Sequence, residues 1–270
     1  MPTVKLTAAL RTEYEGLFNS CQINPAKTAT VLKLVNSLVA NKTRYATVER
    51  TSGVPWFAVA AIHNMESSQN FKCHLHNGDP LTARTVHVPK GRPITGNPPF
   101  TWEASAADAL ACQKLNGSSD WSLAGTLYNL EGYNGWGYRT RHPEVLTPYL
   151  WGFSNHYTSG KYIADGTWSP TATTQQCGAA VLLRRMAELG QMEFDDQPAP
   201  DDDAPPLVPA YSTKTPKDAA TLAQVKDLQR WLNTHPGIFV KVDGGPGPLT
   251  SDAYRKVTGS YLPGDPRGGK

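Results

Sequence analysis

Along the first fifty residues, apolar side chains return every third or fourth position over 5–19, 25–40 and 44–51, the spacing that lines one face of a helix. The run "SGVPW" then restarts the pattern, with Pro55 suited to a first helical turn, where the missing N–H is not needed. In "PWFAVAAIHNME", Trp56, Val59, Ile62, His63 and Glu66 follow at three- and four-residue steps, so an apolar stripe leads to a carboxylate at the helix end. From about 72 to 100 the helical period is lost. Gly, Pro and Asn dominate there, with short β-like pieces such as "ARTVHV", which predicts a loop-and-hairpin lobe. Helices resume at "WEASAADALACQKL", "SLAGTLYNLEGY" and "QQCGAAVLLRRMAEL". The pattern predicts a mainly α body interrupted by a small irregular lobe, a frame suited to a cleft.

A second boundary comes from composition. Residues 193–210, "EFDDQPAPDDDAPPLVPA", combine prolines with six acids and no lysine or arginine, which predicts a solvated, semi-rigid linker. It separates a domain over 1–192 from a smaller one over 211–270. In the latter, Leu222, Val225, Leu228 and Leu232 keep to one helical face, and Val240 and Val242 read as a short extended piece. Asp243-Gly244 supplies a left-handed turn residue, and Thr250 or Ser251 can cap the last helix of a three-helix module. The whole chain carries +3; without the six linker acids the rest carries +9. Such a surface suits a polyanionic partner, and equally an ordinary soluble exterior.

No stretch approaches the roughly 20 apolar residues that span a bilayer. The N-terminal run has helical spacing in place of the apolar block and cleavage site of a secretory signal. Cys21, Cys73, Cys112 and Cys177 are scattered without a CxxC pair, and a cytosolic product is expected to keep them as thiols. The run Cys73-His74-Leu75-His76 invites a metal reading but lacks a second ligand cluster at fixed spacing. His63, His74, His76 and His87 form no HExxH, so no zinc site is expected, and glycoside cleavage, the chemistry that Glu66 suggests, needs neither metal nor organic cofactor.

Glu66 leads the chemistry. Glycoside cleavage needs a protonated carboxyl beside the leaving oxygen, and apolar surroundings keep a carboxyl protonated. Position alone leaves open that Glu66 is a solvated helix-end residue. The stretch "TVERTSGVPWFAVAAIHNMESSQNF" resembles the helix–turn–helix and Glu-Ser motif of goose-type lysozymes and soluble lytic transglycosylases. "EGYNGWGY" resembles their cleft-lining Tyr-Asn-Gly segment, and "HLHNGDPLTARTVHVP", with the later "TPYLWGFSNHYTSGKYIADG", looks like bacterial and phage lysozyme-like endolysins. The resemblance covers about 44–185 and implies an α+β lysozyme-like domain with Glu66 as catalytic acid. It implies that Ser67, Tyr133, Asn134 and Gly135 line the cleft. The Gly-Leu-Met-Gln motif of typical lytic transglycosylases is absent.

In its place "HNGDP" brings Asp79, a candidate second carboxylate that could stabilise an oxocarbenium-like transition state or activate water. The alternative is a turn residue bonding its own backbone. Glu103 reads as a helix-start residue, and Asp165 in "ADG" as a turn. Glu131 could reach the cleft wall as a substrate-binding residue or pair with an arginine such as Arg139. Tyr133 and Trp136 are the better sugar-stacking candidates of an aromatic-dense segment over 133–157, against a core role, and Asn134 could bond an N-acetyl group or simply form a turn.

The smaller domain, over about 219–258, resembles peptidoglycan-binding domains at Leu228, Gln229, Leu232, Asn233, Val242, Asp243, Gly244, Gly247 and Thr250. Together the two resemblances imply a monomeric muramidase that cleaves the β-1,4 bond between N-acetylmuramic acid and N-acetylglucosamine. Its expected partner is bacterial peptidoglycan, not nucleic acid, and it is not expected to insert stably in a membrane. It would be made in the cytoplasm and reach the wall through a holin-type pore or a secretion system. A lytic transglycosylase using Glu66, or a non-catalytic wall-binding phage protein, would carry the same features.

Overall fold

The computed structural model describes residues 4–164, 166–194, 206–235 and 237–268. Asp165 and most of the proline- and acid-rich linker lie outside the described residues. The chain divides into two compact units, Met1–Arg185 and Met186–Lys270.

The first unit is mainly helical. Its helices are α1 (Ala8–Asn19), α2 (Thr28–Ala40), α3 (Lys42–Ser52), α4 (Trp56–Ser67), α5 (Trp102–Cys112), α6 (Leu123–Asn134), α7 (Gly137–Arg141) and α8 (Pro148–Trp151); α9 (Ala179–Glu188) crosses the boundary. Side-chain oxygens start four of them: Thr7 accepts from Leu10 N–H, Thr101 from Ala104 N–H, Ser122 from Gly125 N–H and Thr147 from Tyr149 N–H. In α2, Val31, Val35 and Leu38 are buried, as their spacing requires.

Helix α4 departs from the stripe read in its sequence. Every residue from Trp56 to Met65 is buried, so the helix is covered all round. Ala58, Ala60 and Ala61 make this possible, because small side chains let α3 and α6 pack close to its backbone. Pro55 takes the cap position ahead of Trp56. Gly53 ends α3 at φ 74°, and an added Cβ there would stand 2.6 Å from the backbone of Gly117. Only glycine fits this corner between α3 and α4.

The lobe over 72–100 is irregular and holds no hairpin. Its one strand-like feature is an isolated bridge between Cys73 and Pro80. Two causes act against the strand expected at "ARTVHV". Pro80, Pro89, Pro93, Pro98 and Pro99 lack ladder donors, and the N–H groups of Val86 and His87 are taken by the Asp79 carboxylate. The chain's two-stranded sheet lies elsewhere, pairing β1 (Lys161–Ala164) with β2 (Thr167–Ser169) in antiparallel register.

Within the second unit, the described residues of 211–268 hold two helices, α10 (Ala219–Leu232) and α11 (Pro248–Thr258), where a three-helix module was expected. The segment between them is fixed without a helix. Asn233 bonds both backbone groups of Val240, each at 2.8 Å, and Gln229 accepts from Gly244 N–H at 2.8 Å. Gly244 takes φ 79°. The start of α11 is capped by Gly247 with Pro248 in its first turn, while Thr250 donates to the Gly245 carbonyl and Ser251 to Asp265. Leu228, Leu232, Ile238, Val240, Ala253 and Leu262 form the core of this unit.

Candidate active site

Glu66 occupies the last turn of α4, where the chain must stop being helical. Ser68 and Gln69 turn it with positive φ values of 50° and 64°. The helix end is closed from outside: Gln176 donates to the Met65 carbonyl at 2.7 Å, and Gln69 donates to the Asn64 side chain at 2.9 Å. The first of these bonds satisfies a backbone carbonyl that a buried helix end would otherwise leave without a partner.

The Glu66 side chain keeps a window to solvent but is surrounded by protein on most sides. Loss of hydration pushes its carboxyl up to about 7, against the opposing hydrogen bond from Tyr149. The C-terminal end of α4 acts in the same sense, because its carbonyls disfavour negative charge. Tyr149 Oη donates to Glu66 Oε1 at 3.0 Å. Burial, and next the nearby Glu66 carboxylate, raise the Tyr149 phenol well above its ordinary range, so it remains a donor. Tyr133 is raised for the same two reasons and donates to the Leu75 carbonyl at 3.2 Å. Glu66, Tyr133 and Tyr149 are thus one electrostatic group drawn from α4, α6 and α8.

The turn over 75–79 borders this group. A Cβ on Gly78, whose φ is 80°, would stand 3.3 Å from the Glu66 carbonyl oxygen. The next residue, Asp79, is buried and ionised. Burial by itself would raise its carboxyl, but the His87 N–H, the His87 side chain and the Val86 N–H outweigh it and hold the group at about 2. Oδ2 accepts from Val86 N–H at 2.8 Å and His87 N–H at 3.0 Å, and Oδ1 meets His87 Nδ1 at 2.6 Å. Two neighbouring segments therefore hold one carboxyl whose titration is raised to about neutrality and one that stays ionised there.

The other residues expected at the site go to different places. Ser67 Oγ donates back to the His63 carbonyl at 3.4 Å, a bond within α4. Asn134 is exposed at the last position of α6. Trp136 leans on Tyr128 with ring centres 4.9 Å apart, over Gly132, so it and Tyr133 have different neighbours. The expectation of a substrate-binding Glu131 needs correction. Its side chain is 4% exposed, and Tyr14 at 2.6 Å together with both Arg139 contacts, at 3.1 and 3.0 Å, engages both oxygens. Buried Tyr14 and Glu131 with partly exposed Arg139 thus join α1, α6 and α7. Glu103 bonds Arg44 at 2.6 Å and so ties α5 to α3.

The histidines do not converge on one point. His63 lies in the core, bonded to Tyr45 at 3.0 Å and with its ring centre 4.5 Å from those of both Phe71 and Trp102; burial holds its pKa at about 4. His74 bonds Ser105 at 2.6 Å, His76 bonds Asp108 at 2.8 Å, and His87 bonds Asp79. Among the described residues, no three His, Cys, Asp or Glu side chains are grouped to hold a metal ion. No described helix is long and apolar enough to cross a membrane.

Tyr149 and Gln176 are the site residues that the sequence did not single out. The Thr147-Pro148 pair does mark a helix start, since Thr147 Oγ1 accepts from Tyr149 N–H at 3.3 Å. Nothing local shows that this short helix delivers a phenol to a carboxylate far back in the chain. No protein-family model matches the chain, and no curated protein or solved structure matches it.

Proposed function

We propose that this chain is a peptidoglycan-cleaving glycosidase, a muramidase that uses Glu66 as general acid on the β-1,4 bond between N-acetylmuramic acid and N-acetylglucosamine. The observation that carries this reading is the Glu66 carboxyl itself: held up at about 7, partly exposed, and hydrogen-bonded by the Tyr149 phenol. A carboxyl in that state can give its proton to a glycosidic oxygen near neutral pH. Asp79 nearby is kept ionised at about 2, with both oxygens engaged by Val86 and His87, so of the two carboxyls Glu66 is the one held ready to give a proton. The resemblance over about 44–185 supports the substrate class. The resemblance over about 219–258 supports a wall-binding role for the second unit, which would raise the local concentration of an insoluble polymer.

One observation favours a second reading, a lytic transglycosylase with the same acid. The Asp79 side chain is 7% exposed and three donors already engage it, so it does not readily serve as the base for an incoming water. The test is mass spectrometry of fragments released from purified peptidoglycan by the wild type and by Glu66→Gln. Reducing muramic ends that vanish in the variant support the muramidase. Anhydro ends that vanish support the transglycosylase. Fragments that persist in the variant, or none from the wild type, overturn Glu66 as the acid.

A further inference from the structure

Resting on the glycan-cleaving reading of Glu66, we infer that the Val86–Val88 loop is a substrate-contacting wall of the cleft. Asn77 and Asp79 are positioning residues that hold this wall in place.

The run His76-Asn77-Gly78-Asp79 uses every side chain to fix one relationship. His76 Nε2 donates to Asp108 on α5 at 2.8 Å, anchoring the turn to the helical body. Gly78 lies against the Glu66 carbonyl, where its φ of 80° and the 3.3 Å clearance both disfavour a side chain. On either side of Gly78 the chain reaches outward. Asn77 Nδ2 donates to the His87 carbonyl at 3.1 Å, and its Oδ1 accepts from Asp79 N–H at 3.0 Å. Asp79 receives the N–H groups of Val86 and His87 and fixes the His87 ring through Nδ1. The loop is also closed at its base. Thr85 N–H donates to the Arg92 carbonyl at 2.8 Å, and Thr85 Oγ1 accepts from Arg92 N–H at 2.9 Å.

This bracing presents an apolar tip to solvent. Val86 is 63% and Val88 88% exposed, and Ile94 nearby is 67% exposed. The His87 side chain, anchored on one ring nitrogen, is 77% exposed. A buried ionised carboxylate is an expensive way to hold two exposed valines unless their position matters. What lies within reach decides the occupant. The loop is joined through Asp79 and Gly78 to the backbone of Glu66, and a strand cleaved there must pass within hydrogen-bond reach of the Glu66 carboxyl. A peptidoglycan strand carries acetamido methyls and lactyl-peptide arms along its flanks. These match the two valines, while the His87 ring offers a polar edge to a sugar hydroxyl or amide. Asp79 acts through the loop, since both of its oxygens are engaged beneath it.

The experiment is steady-state kinetics on soluble, uncrosslinked peptidoglycan strands. It is paired with strand-binding measurements in the Glu66→Gln background and with thermal melts to verify folding. Val86→Ser/Val88→Ser, both at exposed positions, is expected to raise KM and Kd about tenfold with kcat nearly kept. Asp79→Asn is expected to shift KM in the same direction, and the Asp79→Asn strands are expected to carry the same product ends as wild type. Unchanged KM and Kd in the valine variant would overturn the wall. So would an effect of that variant confined to self-association or to vesicle binding. A large loss of kcat in Asp79→Asn with KM intact would make Asp79 a reacting carboxylate and overturn its positioning role. If the wild type cleaves nothing, the glycosidase reading fails; weaker strand binding by the valine variant would then still uphold the wall.

Discussion

Tyr149 Oη stands 3.0 Å from Glu66 Oε1 across 83 residues of sequence, and this contact sets the balance of the site. Burial pushes the Glu66 carboxyl up, while the phenol pulls it down by bonding the carboxylate. The result near 7 leaves the acid able both to hold its proton and to give it away.

A pH profile should report this balance. In the proposed role of general acid, Glu66 would work in its protonated form, so kcat/KM is expected to fall as pH rises through about 7. Tyr149→Phe removes the interaction that favours the carboxylate, so the alkaline limb should move upward, by about one pH unit or less. Rates across pH 5–9 on peptidoglycan, for both proteins, check the direction. A limb that moves down, or stays in place, would mean that Tyr149 does not tune the acid.

The same raised carboxyl makes a stability prediction. Glu66 binds its proton more tightly in the folded than in the unfolded chain, so stability is lost as pH rises from the ordinary glutamate value through about 7. Glu66→Gln should therefore melt above wild type at pH 8, on the order of 2–4 °C, with a smaller difference at pH 4. Thermal melts at the two pH values decide it.

Glu131 and Arg139 test the interior pair. With the Glu131 side chain only 4% exposed, Glu131→Gln or Arg139→Met each leaves a partner that must find new bonds. Each is expected to destabilise the first unit by about 3 kcal/mol, with the double variant losing less than the sum. Denaturant titration measures this. Losses that simply add would mean that the pair is not coupled.

In the second unit, Gln229 touches Asp243, Gly245 and Thr250 at 3.1 Å each and accepts from Gly244 at 2.8 Å. Gln229→Ala leaves the buried Gly244 N–H and Thr250 hydroxyl without this partner and is expected to cost about 2 kcal/mol. Hydrogen exchange on the full chain should show faster exchange in α10 and α11, with α4 unchanged. Uniform acceleration in α4 as well would contradict a local role.

Local pattern carried much of this protein. Periodicity along α2 and α10, the left-handed turn at Gly244 and the carboxylate closing α4 all depend on neighbours within a few residues, so the sequence alone determined them, whereas the cap read at Thr250 or Ser251 went to Gly247. It also put Asp79 in a turn and named Arg139 as an alternative partner for Glu131. What it could not decide involved distant partners. Whether α4 was amphipathic or buried all round depended on how many helices packed against it. Whether "ARTVHV" became a strand depended on which acceptor reached the Val86 and His87 N–H groups first, and Asp79 did. The acid strength of Glu66 was likewise outside the reach of spacing, because dehydration and a phenol from another helix set it, and only the closed tertiary structure brings them to one carboxyl.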